Sequence, residues 1–297
     1  MNPNERGSEM RFIFRSLRTR SAQQRLIDIV SVLVLSAGAV IILIPFFWMI
    51  STALKQNGDV FLVPPQWIPD NPRWENFSDA YAQLKLDVYA FNTFFIVTAV
   101  MIGTLLSASF AAYGFARLQA PGRDTIFMLL LATLMLPGAV TLVPTYLMFN
   151  TIGWINTFLP LTIPAFFGSA YFVFLMRQFY ITIPRELEES AMIDGASVYR
   201  IWWSIMLPLS GPVLATIAVF TFVGTYNDFF NPLIYLSDES KRTIAVALSY
   251  LSGSPRSVAK MNLMMAAVTL SIIPPILLFI GAQRYFVRGI VTTGIKG

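Results

Sequence analysis

The sequence contains no cysteine and no histidine, and it is poor in charged residues. The absence of cysteine excludes disulfide bonds and thiol nucleophiles, and the absence of histidine removes the commonest general acid–base group and a usual zinc ligand. Charged residues make up 12% of the 297 residues and hydrophobic residues 56%, with a mean hydropathy of +0.63. Ordinary soluble domains are much less apolar. The composition therefore predicts a membrane protein without thiol or histidine catalysis and without most kinds of zinc site.

Six apolar segments are long enough to cross a bilayer, which requires about 20 residues. They cover residues 26–50, 91–116, 125–149, 157–180, 212–236 and 262–286. The first is too long to be the apolar region of a signal peptide, so we expect an uncleaved helix. The predicted fold is an all-α membrane protein: one six-helix transmembrane domain at 26–286, an N-terminal tail at 1–25 and a C-terminal tail at 287–297.

The basic residues are distributed unevenly between the two sides of this domain. Two thirds of the 21 lysines and arginines lie in the N-terminal tail, the second and fourth interhelical loops or their edges, and the C-terminal tail. Because cytoplasmic loops are enriched in Lys and Arg, both termini are predicted to be cytoplasmic. This topology accounts for the net charge of +5 without a nucleic-acid partner. The expected location is the cytoplasmic (inner) membrane of a prokaryote, with the lipid bilayer around a multi-pass chain.

Ionisable side chains are nearly absent from the middle of the predicted spans. Asp28 and Arg177 lie near cytoplasmic ends, and Asp228 lies near the outer end of the fifth span. A transporter driven by an ion gradient usually has buried ionisable residues along its path. The pattern therefore disfavours an ion-coupled secondary transporter, although this alternative stays open beside a structural scaffold. A stripe of small residues, Gly103, Ser107 and Ala111, predicts one close helix–helix approach.

Two interhelical loops are predicted to be ordered. Residues 51–90 contain four prolines with Trp67 and Trp74, which indicates an external loop on the membrane surface. The cytoplasmic loop at about 182–211 has the pattern of two short helices. Three glutamates follow Pro184, where the positive end of a helix dipole favours carboxylates, and Asp194-Gly195 predicts a left-handed turn before a second helix that ends near Pro208. An amphipathic connector resting on the membrane is the alternative.

The letters of this cytoplasmic loop resemble a known signature. Residues 189–196 (ESAMIDGA), followed by Ile205-Met-Leu-Pro208, are similar to the EAA loop of importer permeases of the ATP-binding-cassette (ABC) class, with Ser190 where that family usually has alanine. The resemblance implies type I importer permease architecture, in which this loop forms coupling helices that dock into a cleft of a cytoplasmic ATPase. The implied ATPase-coupling residues are Glu189, Ser190, Ala191, Asp194, Gly195, Ala196, Ile205, Leu207 and Pro208.

Further segments resemble the carbohydrate-uptake branch of that family. They are residues 63–69 (VPPQWIP), 112–118 (AYGFARL), 121–123 (PGR), 136–144 (LPGAVTLVP), 156–157 (NT), 226–233 (YNDFFNPL), 283–290 (QRYFVRGI) and 294–297 (GIKG). The implied partners are a second related permease, two cytoplasmic ATPase subunits and an extracytoplasmic sugar-binding protein. No Gly-Lys pair exists for a phosphate-binding P-loop, so no cofactor is expected on this chain, and ATP and Mg²⁺ are expected on the ATPase. The C-terminal tail, rich in glycine, is expected to contact the ATPase pair.

The path of the solute is indicated by residue chemistry alone. Aromatic faces, amides and carboxylates are the groups that hold sugars. Interfacial anchoring and helix capping are the alternative roles of such side chains, and in this family the partner permease can supply most of the pocket. The sequence leaves open a permease for a non-sugar solute. The candidate pathway residues are Trp154, Asn156, Tyr226, Asn227, Asp228 and Asn231.

Overall fold

The structure is a computed structural model that describes residues 3–252 and 260–293, with side chains for residue 24 and for residues 26–251 and 260–283. Every regular element in those ranges is helical. In chain order the α-helices are α1 (Pro3–Ala53), α2 (Glu75–Gln83), α3 (Leu86–Arg117), α4 (Arg123–Ala132), α5 (Gly138–Thr151), α6 (Leu159–Thr162), α7 (Ala170–Thr182), α8 (Glu186–Ile193), α9 (Val198–Ile201), α10 (Leu207–Leu209), α11 (Gly211–Tyr226), α12 (Phe230–Tyr235), α13 (Ile244–Ser252) and α14 (Met261–Thr293).

Four helical segments are individually long and apolar enough to cross a membrane: Leu26–Ala53, Leu86–Arg117, Leu159–Thr182 and Met261–Gln283. Two further candidates are bent pairs, Arg123–Met135 with Gly138–Thr151 at 101° and Val198–Leu209 with Gly211–Tyr226 at 78°. Counting each bent pair as one span gives up to six candidate spans, the number that the sequence predicts; Val198–Leu209 in the second pair falls in the predicted cytoplasmic loop and not in the predicted fifth span. The all-α membrane fold is therefore confirmed.

The structure differs from the prediction in the shape of two spans. The third predicted span, 125–149, is bent at Leu136 and Pro137, because Pro137 has an extended backbone (φ −62°, ψ 134°) and a ring nitrogen that cannot donate a helical hydrogen bond. The fifth, 212–236, ends as a continuous helix at Tyr226 and resumes as α12. Apolar length alone did not indicate either break.

The tails also differ from their predicted form. The first helix begins at Pro3, and no proline interrupts it before Pro45, so most of the predicted N-terminal tail is continuous with the first span. The last helix runs to Thr293, which places Gly289 inside a helix rather than in a flexible tail. Gly294 and Gly297 lie outside the described residues.

The third helix, α3, is the central packing element, since it contacts α7, α11 and the 3₁₀ segment Ile163–Phe167. The small-residue stripe lies on one of these contacts. A Cβ atom at Gly103 would lie 2.7 Å from the Cδ2 atom of Phe166, and the Ser107 hydroxyl donates to the Ala165 carbonyl at 2.9 Å. The predicted close approach is therefore present.

The external segment between α1 and α3 folds back onto the end of α1. The Asn76 amide donates to the carbonyls of Ala53 (2.7 Å) and Lys55 (2.9 Å), and Ser51 donates to the Trp67 carbonyl at 2.6 Å. The Trp67 ring packs edge-on against Trp48 at a centroid distance of 5.1 Å. These contacts give the ordered loop that the prolines predict.

Candidate coupling surface and solute cavity

The loop at about 182–211, which is predicted to be cytoplasmic, forms two short helical segments joined by a tight turn. The first is α8, and its end is closed by Gly195, which has φ +79°, the left-handed backbone that favours glycine. The turn is fixed by two backbone hydrogen bonds, from Gly195 N to Met192 O at 3.0 Å and from Ala196 N to Ala191 O at 2.9 Å. Gly195 is thus required where the sequence predicts the turn.

The second segment begins at Ser197, whose hydroxyl accepts a hydrogen bond from the backbone N–H of Arg200 at 3.4 Å. It comprises α9, a π-helical stretch from Trp202 to Met206, and α10, and it bends by 78° into α11. A proline at position 208 in this segment removes one helical donor, in keeping with the change to wider π-type turns before it. The second coupling segment is therefore joined almost directly to the fifth span.

An open groove of about 480 Å³ lies between the two segments. Five of the nine predicted coupling residues line this groove. Of the other four, Gly195 forms the turn and Glu189 is exposed on α8. Ala196 packs against the interior, and Leu207 is half-buried. The groove combines small and apolar side chains with one carboxylate. Its lining residues are Leu187, Ser190, Ala191, Asp194, Ser204, Ile205, Pro208 and Leu209.

The sequence assigned a coupling role to Glu189 but none to Glu188, which the structure buries. Its carboxylate Oε1 lies 2.7 Å from Nε of Arg117, and their side chains are only 7% and 5% exposed. Tyr113 donates its hydroxyl proton to the other carboxylate oxygen at 3.3 Å. The Arg117 guanidinium also donates to the Ile183 carbonyl. No local pattern in the sequence contains this pair, because two predicted spans separate Arg117 from Glu188.

A second cavity, of about 540 Å³, lies between α5, the segment after it, and α12. It contains three of the six candidate pathway residues: Trp154, Asp228 and Asn231. The Trp154 ring is stacked on Phe149 at 5.5 Å, which fixes its orientation. Asp228 accepts hydrogen bonds from the backbone N–H (3.2 Å) and the side-chain amide (2.8 Å) of Asn231. Asp228 therefore caps α12 and contributes to the cavity wall at the same time.

The other three candidates do not line this cavity and have structural partners. Asn156, with φ +60°, accepts from the N–H groups of Ser237 and Asp238 at 3.1 Å and donates to the Asp238 carboxylate at 2.8 Å. The buried Tyr226 donates to the Ser271 carbonyl at 2.6 Å, and the Asn227 amide donates to Val223 O at 2.9 Å. Each of the three thus has a hydrogen-bond partner within the chain, and their place on the solute path stays a prediction.

The contacts around Asn156 set the electrostatics of the neighbouring external loop. Hydrogen bonds from Asn156 and then Lys241 hold the pKa of Asp238 below its usual value, because both donors favour the ionised carboxylate. Lys241 also donates to the Asn156 carbonyl at 2.7 Å. Asn156 therefore joins the segment after α5 to the loop between α12 and α13, and it does not line the cavity.

The fold is that of an all-helical membrane protein with a two-helix loop between its fourth and fifth predicted spans. The family described as "Binding-protein-dependent transport system inner membrane component" matches residues 103–292. The chain belongs to this family: it is an ABC importer permease, an integral inner-membrane component and not an enzyme.

Relatives agree with this assignment over most of the chain. The probable ABC transporter permease protein YurM of Bacillus subtilis is 33% identical over 258 residues, covering 85% of this chain and 83% of that protein. The sn-glycerol-3-phosphate transport system permease protein UgpE of Yersinia enterocolitica is 33% identical over 274 residues, covering 90% and 97%. The fold matches the crystal structure of a bacterial ABC transporter involved in alginate import, with TM-score 0.80, 22% identity and coverage of 88% and 97%.

Proposed function

We propose that this chain forms half of the translocation path of an ATP-driven carbohydrate importer. A second related permease, two cytoplasmic ATPase subunits and an extracytoplasmic sugar-binding protein complete the proposed assembly. ATP and Mg²⁺ bind to the ATPase subunits in this scheme, since this chain has no P-loop lysine. The observation that carries the proposal is the groove of the cytoplasmic loop, which gives the family's coupling role a defined surface.

The groove has the properties of a docking surface for a protein partner. It is concave and open, and its walls are mainly aliphatic or small, with Asp194 as the charged group. Cores of protein interfaces are depleted of charge and closely packed, so an apolar projection on the ATPase fits between the two segments. Asp194 would then select a basic or hydrogen-bonding neighbour on that projection. Such a partner would contact the five predicted coupling residues that line the groove.

The chemistry of the second cavity favours a neutral carbohydrate. Its wall offers an aromatic ring on Trp154, a carboxylate on Asp228 and an amide on Asn231, which suit the apolar face and the hydroxyl groups of a sugar. No lysine or arginine is among the described residues that line it. Phosphate groups are usually bound by arginine and lysine. An acidic wall without basic residues therefore favours an uncharged solute over a phosphorylated one.

The second candidate substrate is a glycerol phosphate, because the relatives named UgpE are permeases for sn-glycerol-3-phosphate. In that case the basic groups would have to come from the partner permease. The two candidates are separated by screening the cognate binding protein for thermal stabilisation by neutral sugars and by sn-glycerol-3-phosphate. Stabilisation by the phosphate alone would reject the carbohydrate proposal.

The importer itself is tested by purifying the chain with its native partner subunits in lipid nanodiscs. We expect an ATPase to copurify and its hydrolysis to rise when the loaded binding protein is added. A matched assembly with the empty binding protein is the control. Solute uptake driven by an imposed proton or sodium gradient, without a bound ATPase, would instead support the ion-coupled alternative and reject the proposal.

A further inference from the structure

We infer that the buried ion pair between Arg117 and Glu188, completed by Tyr113, is the connection through which α8 transmits movement of the ATPase to α3. The inference rests on the proposed function, because it assumes that an ATPase binds the groove. It adds a positioning role for three residues that lie behind the groove and have no contact with it.

The two faces of α8 have different chemistry. Its outer face supplies Leu187, Ser190 and Ala191 to the groove, whereas Glu188 points inward to Arg117. Of the eight residues of α8, all of which the structure describes, only Glu188 is buried. A helix of this length is marginal by itself and depends on its tertiary contacts. The ion pair is thus the principal buried attachment of α8 to the membrane domain.

The attachment point lies on the central helix of the fold. Arg117 is the last residue of α3, where a cation is also favoured by the helix dipole. Tyr113 lies one turn earlier on the same face, at the i, i+4 spacing that brings two side chains together. Movement of α8 is therefore directed along α3, which packs against α7, α11 and the segment around Phe166.

The second coupling segment contacts the same helix by apolar stacking. The Phe110 ring of α3 is stacked on Tyr199 at 6.0 Å and meets Trp202 edge-on at 5.2 Å. Apolar burial is non-directional and tolerates sliding. An ion pair with a shared tyrosine hydrogen bond fixes one register between α8 and α3. The ion pair, and not the aromatic contact, therefore sets the direction in which a movement of α8 displaces α3.

Stability alone does not account for a buried ion pair at this place. Replacing such a pair by apolar residues of similar size is often neutral or stabilising, whereas removing one partner leaves an uncompensated charge. A pair that served only folding would therefore be replaceable by two methionines without loss of function. A pair that fixes the direction of movement could not be replaced by two methionines without loss of function. This difference provides a test that separates the two roles.

The test compares Glu188→Gln, Glu188→Met and the double variant Arg117→Met with Glu188→Met, in the wild-type assembly with its ATPase subunits. Glu186→Gln, which changes an exposed carboxylate on the same helix, is the matched control. Three quantities are measured: the amount of ATPase that copurifies, the thermal midpoint, and the ratio of hydrolysis with loaded binding protein to hydrolysis without it. The wild-type ratio must exceed one, which tests the proposed function separately.

We expect the double variant to regain the thermal midpoint that Glu188→Met loses, and to retain the ATPase. Its stimulation ratio should remain about tenfold below the wild type, a change within the usual range of coupling between sites. Glu188→Gln should lower the stimulation ratio by a smaller factor, and Glu186→Gln should leave the ratio unchanged. Wild-type stimulation in the double variant would overturn the inference, because the pair would then be structural only. Failure of all three variants to reach the membrane would overturn it as well.

Discussion

Single residues determine the shape of the coupling loop, and Gly195 is the clearest case. Its φ of +79° is costly for any residue with a branched Cβ atom. We expect Gly195→Val to cost about 1–3 kcal/mol of local strain and to rotate the two coupling segments relative to each other. Membrane insertion should persist while sugar-stimulated ATP hydrolysis falls.

Gly195→Asn is the matched control, because asparagine tolerates the left-handed region better than other side chains. No Cβ contact arises at this position within 4 Å, so the effect of valine is conformational and not a clash. Equal stimulation in the valine and wild-type assemblies would show that the turn does not have to keep this geometry.

Glu189 is exposed on α8, whereas Glu188 beside it is buried. The resemblance to the EAA loop assigns Glu189 to the ATPase interface, where we expect a charge-assisted hydrogen bond with a basic group. Losing one partner of such an interfacial pair costs about 2–5 kcal/mol, far more than a solvated charge. Glu189→Ala should therefore reduce ATPase copurification, while Glu186→Ala should not. Equal copurification of both variants would remove Glu189 from the interface.

Asp238 provides a prediction about pH at the external surface. Its folded-state pKa is depressed by Asn156 and Lys241, so its contribution to stability is present above its unfolded pKa, near 3.8, and is lost as pH falls through the folded pKa. We expect Asp238→Asn to lower the thermal midpoint at pH 7, and the difference from the wild type to shrink as pH falls below 3.8 through the depressed folded-state pKa. A difference that is unchanged over this pH range would contradict the assignment.

At the scale of elements, the contact between α3 and the segment Ile163–Phe167 depends on a missing side chain. A methyl group at position 103 would lie 2.7 Å from the Phe166 ring, well inside the usual 3.5–4.0 Å separation of carbon atoms. Gly103→Ala should therefore destabilise the protein by about 1–3 kcal/mol, as overpacking does.

Gly114→Ala in the same helix is the control, because a Cβ atom there meets nothing within 4 Å. Both changes gain the same helix propensity, roughly 1 kcal/mol relative to glycine. Thermal unfolding in detergent should thus give midpoints that move in opposite directions. If both midpoints moved in the same direction, α3 and the Phe166 segment could move apart without loss of stability.

The sequence predicted elements better than it predicted their ends and their contacts. Apolar length located the spans, and Pro184 with Asp194-Gly195 located α8 and its turn. Apolar length does not report the 101° bend at Pro137, which follows from the proline's backbone and missing donor, or the break after Tyr226. Burial of Glu188 depends on Arg117, which is 71 positions earlier in the chain, and no local pattern contains that pairing.

The candidate cavity shows the same limit. Residue chemistry selected six polar and aromatic side chains, and the structure places three of them in the cavity wall. Asn156 and Tyr226 have the same functional groups but use them on Asp238 and on the Ser271 carbonyl. Side-chain chemistry predicts what a group can bind, while tertiary packing decides whether the group is free to bind it.

For the whole molecule, the distribution of Lys and Arg predicts the orientation in the membrane. Reporter fusions after residue 70 or near residue 250 should be external, and fusions near residues 120, 195 and 297 should be internal. Alkaline phosphatase and fluorescent-protein fusions measure the two sides. A cytoplasmic reporter at residue 70 would reverse the orientation and move the proposed coupling groove to the wrong side of the bilayer.

The lack of buried residues in the apolar part of the first span has a consequence for biosynthesis. In the most apolar 18-residue window of Leu26–Ala53, with a mean hydropathy of 2.7, no residue is buried by the rest of the described chain. This span precedes the other described spans in the chain, and it can partition into lipid without contacts from later segments. The bent spans, in contrast, need neighbours to accept their exposed backbone groups. Insertion of this protein should therefore begin with an independent anchor and finish with a cooperative closing of the remaining helices around α3.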